Sequence, residues 1–227
     1  MKHLNAKTLA TALLAIAAGS SANAALIISE VSPYSSGNTP FAADWFELTN
    51  TGTSALTVSG WKMDDNSNAF GSSVPMLGIS SIAPGESVIF IECAAGCAAI
   101  AGFQAYWDGP VSGVQIGTYS GSGVGLSTAG DAVNVFDNAG TVLARVDFGA
   151  STIGRTFDNS AGLNNVTLTT LSTLGVNGAF NSTVNPTGTT SLDIGSPGRI
   201  AAVPEPATFA TLAGGLFAIG TLARRRR

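Results

Sequence analysis

Residues 132–148 decide the fold class: Ala132-Val133-Asn134-Val135-Phe136, then Asp137-Asn138-Ala139-Gly140, then Thr141-Val142-Leu143-Ala144-Arg145-Val146-Asp147-Phe148. Two runs rich in β-branched and aromatic residues flank a four-residue turn. The turn suits a type I geometry closed by a left-handed glycine. The segment therefore predicts a β-hairpin.

The same grammar extends outward. Leu26-Ile27-Ile28-Ser29-Glu30-Val31 reads as an opening strand and Trp45-Phe46-Glu47-Leu48-Thr49 as the next. Ala55 to Val58 alternates with period two, and Gly60-Trp61-Lys62-Met63 continues after a bend. Pro84-Gly85 marks a turn, because proline presets φ and glycine accepts positive φ. Ser87-Val88-Ile89-Phe90-Ile91 is nearly all apolar, which predicts a central strand. A short helix is expected over 94–106. Many short strands with turn punctuation predict an all-β, antiparallel sandwich.

The ends read differently. Lys2 and Lys7 precede an apolar run from Thr8 to Ala18, followed by Ala22-Asn23-Ala24. This is the pattern of a signal peptide, residues 1–24, cut by signal peptidase before Ala25. At the other end, Pro204-Glu205-Pro206 leads into an uncharged apolar stretch, 207–223, and then Arg224-Arg225-Arg226-Arg227. That stretch is at the short limit for a transmembrane helix, and the arginines predict a cytoplasmic tail. The expected domain lies between, at 25–203.

The whole chain has 227 residues, a formal charge of −4 and a mean hydropathy of +0.32. Those averages conceal the segments. Removing the two ends takes away six of ten cations but one of fourteen acids, and the single histidine. Four cations remain against thirteen acids, a formal charge of −9. So acidic a domain is unsuited to nucleic acid, which needs cations to displace phosphate counterions. Without histidine it can build neither a Ser-His-Asp triad nor a histidine-bearing zinc site.

The C-terminal Pro204-Glu205-Pro206, apolar stretch and Arg224 to Arg227 closely resemble the PEP-CTERM sorting signal of exopolysaccharide-producing Gram-negative bacteria. The resemblance implies processing by an exosortase, a transient inner-membrane intermediate, and delivery to the cell surface or the exopolysaccharide matrix. The middle of the chain resembles a lamin-tail domain, an immunoglobulin-like β-sandwich. The blocks that carry it are Ile28 to Val31, Asp44 to Asn50, Leu56 to Asp64, Ile82 to Glu86, Gly125 to Asp131, Asn138 to Leu143 and Ser196-Pro197-Gly198. Residues 151–194 depart from the pattern, being long, polar and rich in Asn and Thr. Such a domain implies no catalysis.

Candidate chemistry is sparse. Glu30, Asp44, Glu47, Asp64, Asp65 and Asp131 are the carboxylates that could pair for glycoside hydrolysis. Asp44 and Glu47, three apart, should face opposite sides of a strand. No cofactor is called for, although Asp64, Asp65, Asn66 and Asn68 supply oxygens at calcium-loop spacing. That loop lacks the glycine at its sixth position and the glutamate at its twelfth. Cys93 and Cys97, in an oxidising compartment, predict a local disulfide. Trp45 and Trp61 read as core. Trp107 with Tyr106 reads as the better of the sugar-stacking candidates, which also include Tyr34 and Tyr119. The leading expectation is a non-enzymatic structural or adhesive protein. A carbohydrate- or calcium-binding module and a small glycan-active enzyme are the alternatives.

Overall fold

The computed structural model describes residues 26–33, 41, 43–93, 98–185 and 191–199. The described residues form fourteen short strands and one α-helix. In chain order the first strands are β1 (Leu26–Ser32), β2 (Trp45–Asn50), β3 (Leu56–Thr57), β4 (Lys62–Asp64), β5 (Val74–Leu77), β6 (Ser81–Ile82) and β7 (Ser87–Glu92). Helix α1 (Ala99–Trp107) follows, and then β8 (Gln115–Tyr119), β9 (Asp131–Phe136) and β10 (Val142–Phe148). The last four are β11 (Phe157–Asp158), β12 (Val166–Leu168), β13 (Phe180–Asn181) and β14 (Ile194–Gly195).

Ten strands form one continuous sheet in the order β11-β1-β2-β7-β8-β5-β4-β9-β10-β12. β5 pairs with β8 on one side and β4 on the other, and there the sheet turns over into two leaves. Ile28, Phe46, Leu48, Val88 and Phe90 of the first leaf pack against Met63, Val133, Val135, Val146 and Phe148 of the second. Phe46 and Phe90 stack with ring centroids 5.8 Å apart.

The expected sandwich and the β9–β10 hairpin are present. Gly140 closes the hairpin turn at φ +87°, and the Gly140 N–H reaches the Asp137 carbonyl at 3.2 Å. β7 is central, between β2 and β8. The expectation of a wholly antiparallel arrangement is corrected, because β7 pairs with β8 and β10 with β12 in parallel. The physical reason for the first is α1. A parallel pair needs a crossover, and a helix laid on the sheet supplies it. Among the described residues α1 begins at Ala99 and ends one residue beyond the expected Tyr106.

That helix also creates a second core. Alternate residues of the first leaf point away from the sandwich interior. On that outer face Trp45, Ile89 and Ile91 pack with Phe103, Tyr106 and Trp107 of α1 and with Val111. Trp45 meets Trp107 edge to face, with centroids at 6.1 Å. β1 and β2 are consequently buried at every position.

Candidate functional site: a sealed carboxylate pair under a C-terminal strap

Strand β1 carries a bulge. Ile28 pairs with Leu48 and Glu30 with Glu47, so Ser29 and Glu30 together oppose a single residue of β2. The bulge turns both of their side chains to the outer face of the first leaf, towards Glu47. Glu30 and Glu47 are 0% and 1% exposed.

A strap formed by residues 193–199 covers them. Ser196 donates its N–H to Glu30 Oε1 at 2.8 Å and its Oγ–H to Oε2 at 3.1 Å. The Thr156 hydroxyl also donates to Glu30 Oε1. On the partner carboxyl, Ser29 Oγ donates to Oε1 at 2.7 Å and the Gly198 N–H donates to Oε2. Thr49 donates to Ser29 Oγ at 3.1 Å, and the Thr49 and Ser87 hydroxyls lie 2.6 Å apart. Gly195 is required for this closure. A Cβ there would lie 2.9 Å from both Glu30 Oε1 and the Trp107 ring.

Burial raises the Glu30 carboxyl well above its ordinary range, and the neighbouring Glu47 raises it further. Burial likewise raises Glu47, against the lowering effect of its Ser29 and Gly198 bonds. Two adjacent buried carboxyls cannot both ionise cheaply, so the pair holds a proton at neutral pH. All four oxygens are occupied by donors of the chain itself. The pair is thus an internal clasp between β1, β2 and the strap, and it presents no cleft to a glycan.

The other candidates are distributed as follows. Asp44 and Glu47 do face opposite sides. Asp44 Oδ2 accepts from the Leu126 N–H at 3.1 Å, at the end of the sandwich where β2 and β9 begin. Asp64 is buried, and its Oδ2 accepts from Ser67 Oγ and the Ala69 N–H, both at 2.7 Å. Asp65 Oδ1 accepts from the Ser67 N–H at 2.8 Å. The Asn66 N–H donates to Asp131 Oδ1 at 2.9 Å, and Asn68 adopts a left-handed φ of +49°. The candidate calcium loop therefore spends its carboxylates on its own turns. Among the described residues, no three acidic, histidine or cysteine side chains are arranged to hold a metal ion.

Trp107 and Tyr106, expected as a stacking platform, are 2% and 1% exposed and belong to the second core. Tyr119 is buried in the sandwich, as are Trp45 and Trp61 in their cores. Cys93 follows β7, is buried and is disulfide-bonded. Its expected partner Cys97 lies outside the described residues. So do Tyr34, the cleavage residues Ala22, Ala24 and Ala25, the helix 207–223, and Pro204, Glu205, Pro206 and Arg224 to Arg227. Among the described residues no helix is long and apolar enough to cross a membrane. One member of the site was missed in the sequence. Glu92, at the end of β7, stands beside Asp44 because the β2–β7 ladder sets them opposite each other, the Glu92 N–H donating to the Asp44 carbonyl at 2.8 Å, a pairing between strands over forty residues apart.

Fold and site together define a β-sandwich domain whose paired carboxylates are internal. The family model of the lamin tail domain matches residues 19–150, more than half of the chain, and the chain belongs to that family. Residues 202–227 match the PEP-CTERM protein-sorting motif, the mark of an exported, exosortase-processed protein. The family match stops at residue 150, so β11 to β14 and the strap lie beyond it. No curated protein matches the chain.

Proposed function

We propose that this is a non-enzymatic protein of the cell surface or exopolysaccharide matrix, with a structural or adhesive role. Signal peptidase would remove residues 1–24 and an exosortase would remove the C-terminal helix near Pro204-Glu205-Pro206, after a transient inner-membrane stage. The observation that carries this reading is the sealed pair. Glu30 and Glu47 are the carboxylates best placed for hydrolysis, and the chain's own donors occupy both. An acid–base pair needs room for a substrate and a water between its carboxyls. The buried Trp107 and Tyr106 likewise leave no aromatic platform for a sugar at that place.

The test is cell fractionation combined with an assay for turnover. The protein is expected in the surface or matrix fraction of wild-type cells and in the inner membrane of cells lacking the exosortase. Purified protein is expected to release no sugar from the surrounding polysaccharide. Turnover lost in Glu47→Gln would replace this reading with the glycan-active enzyme.

A further inference from the structure

The second carboxylate group differs from the clasp in one respect: its oxygens are not all used. At one end of the sandwich β2 and β9 begin while β7 and β8 finish, so Asp44, Asp131, Glu92 and Tyr119 come together there. Asp44 is 2% exposed; Oδ2 takes the Leu126 N–H, no N–H or O–H among the described residues donates to Oδ1, and the Asp44 carboxyl lies within hydrogen-bond reach of that of Glu92. The Tyr119 hydroxyl is fully buried and has no hydrogen-bond partner among the described residues. The acidic groups around it are Asp44, Glu92 and Asp131.

Glu92 is half-buried and opens the group to solvent. The glycine-rich loop 121–125 lies directly on it. A Cβ on Gly121 would fall 1.5 Å from Glu92 Oε1, so the Glu92 carboxylate occupies the space a side chain at position 121 would need. Asp131 is already fixed by the N–H groups of Asn66, Ser127 and Ala132, and acts from the side as a charge. Among the described residues no positive side chain compensates. Lys62 lies over the Phe70 ring, Arg145 pairs with Asp147, Arg155 donates to the Ser172 carbonyl, and Arg199 lies over Phe180.

Two adjacent carboxyls and an orphaned phenol, all oxygen and without a counter-charge, are the donor set of a hard cation. We propose that Asp44 Oδ1, the Glu92 carboxylate and the Tyr119 hydroxyl hold a calcium ion beneath the Gly121–Gly125 loop. Water and loop carbonyls would complete the six to eight oxygens that calcium takes. The ion would tie the ends of β2, β7 and β8 to the loop before β9. This inference does not depend on the sorting reading.

The test uses the full chain in mild detergent at pH 8, stripped with chelator and then titrated with calcium chloride. Thermal unfolding and calorimetry provide the readouts. The wild type is expected to bind one calcium with an affinity in the range of about 0.1–1 mM typical of extracellular modules, and to melt several degrees higher with excess calcium. Asp44→Asn is expected to weaken binding about tenfold or more, while melting at or above the wild type in chelator because a buried like charge is gone. Tyr119→Phe should weaken binding and leave the fold intact. Asp65→Asn, in the neighbouring turn, should bind as the wild type does. No calcium effect on the wild type would mean that Asp44 and Glu92 share a proton, and would overturn the proposal. Binding lost in Asp65→Asn but kept in Asp44→Asn would overturn it too.

Discussion

Glu30 and Glu47 face each other across the β1–β2 ladder, both buried, and one residue of the C-terminal strap reaches each of them. Ser196 holds Glu30 and Gly198 holds Glu47. The bulge at Ser29 and Glu30 makes the meeting possible, since it turns two consecutive side chains to the same face.

Acid should therefore favour the fold in the absence of calcium. Glu30 and Asp44 are raised to about 8, the first by burial and then Glu47, the second by burial and then Glu92. Between the ordinary carboxylate range and about 8 the folded state keeps protons that the unfolded chain has released. Stability then falls as pH rises. Melting in chelator is expected to drop from pH 5 to pH 9. Glu47→Gln should flatten that slope; an unchanged slope would show that the pair does not titrate in this window.

The strap should be separable from the sandwich. Gly198 has φ +74°, and a Cβ would lie 2.6 Å from Val114 Cγ2. Gly198→Ala is expected to cost about 1–3 kcal/mol. Hydrogen exchange should accelerate at residues 193–199 while β9 and β10 stay protected. Ser196→Ala, which loses one bond to Glu30, should cost about 1 kcal/mol.

Trp107 should behave as core. Trp107→Ala removes edge-to-face contacts with Trp45, Tyr106 and Phe180 and is expected to cost about 3–5 kcal/mol. Denaturant unfolding measures it. A stable variant that lost glycan binding would instead return Trp107 to a binding role.

Reduction should lower the stability of the fold. The small loop predicted for Cys93 and Cys97 contributes about 2 kcal/mol by the chain-entropy model. Unfolding with and without reductant measures this, and intact mass after alkylation confirms that no thiol is free before reduction.

The contrast between legible and hidden elements is physical. The β9–β10 hairpin was legible because its strands and turn are contiguous and Gly140 marks the left-handed position. β7 was legible because burial on both faces leaves a continuous apolar run. β5, with Pro75, and β8, with Gly117, carry neither signal. Gly117 is needed there because a Cβ would strike the Leu77 carbonyl and the Phe90 ring. The parallel β7–β8 pairing was hidden because α1, not either strand, determines it. In the site, Glu30 and Glu47 could be named as candidates, but their sealing depends on Ser196 and Gly198, some 150 residues away. Trp107 looked like a surface aromatic because the sheet face it covers cannot be seen from its own neighbours.

The most direct test of the account is intact mass spectrometry of the protein recovered from its native envelope. The account predicts a chain that begins at Ala25, ends near Pro204-Glu205-Pro206 and lacks Arg224 to Arg227. A mature protein that retains residues 207–227 would contradict it.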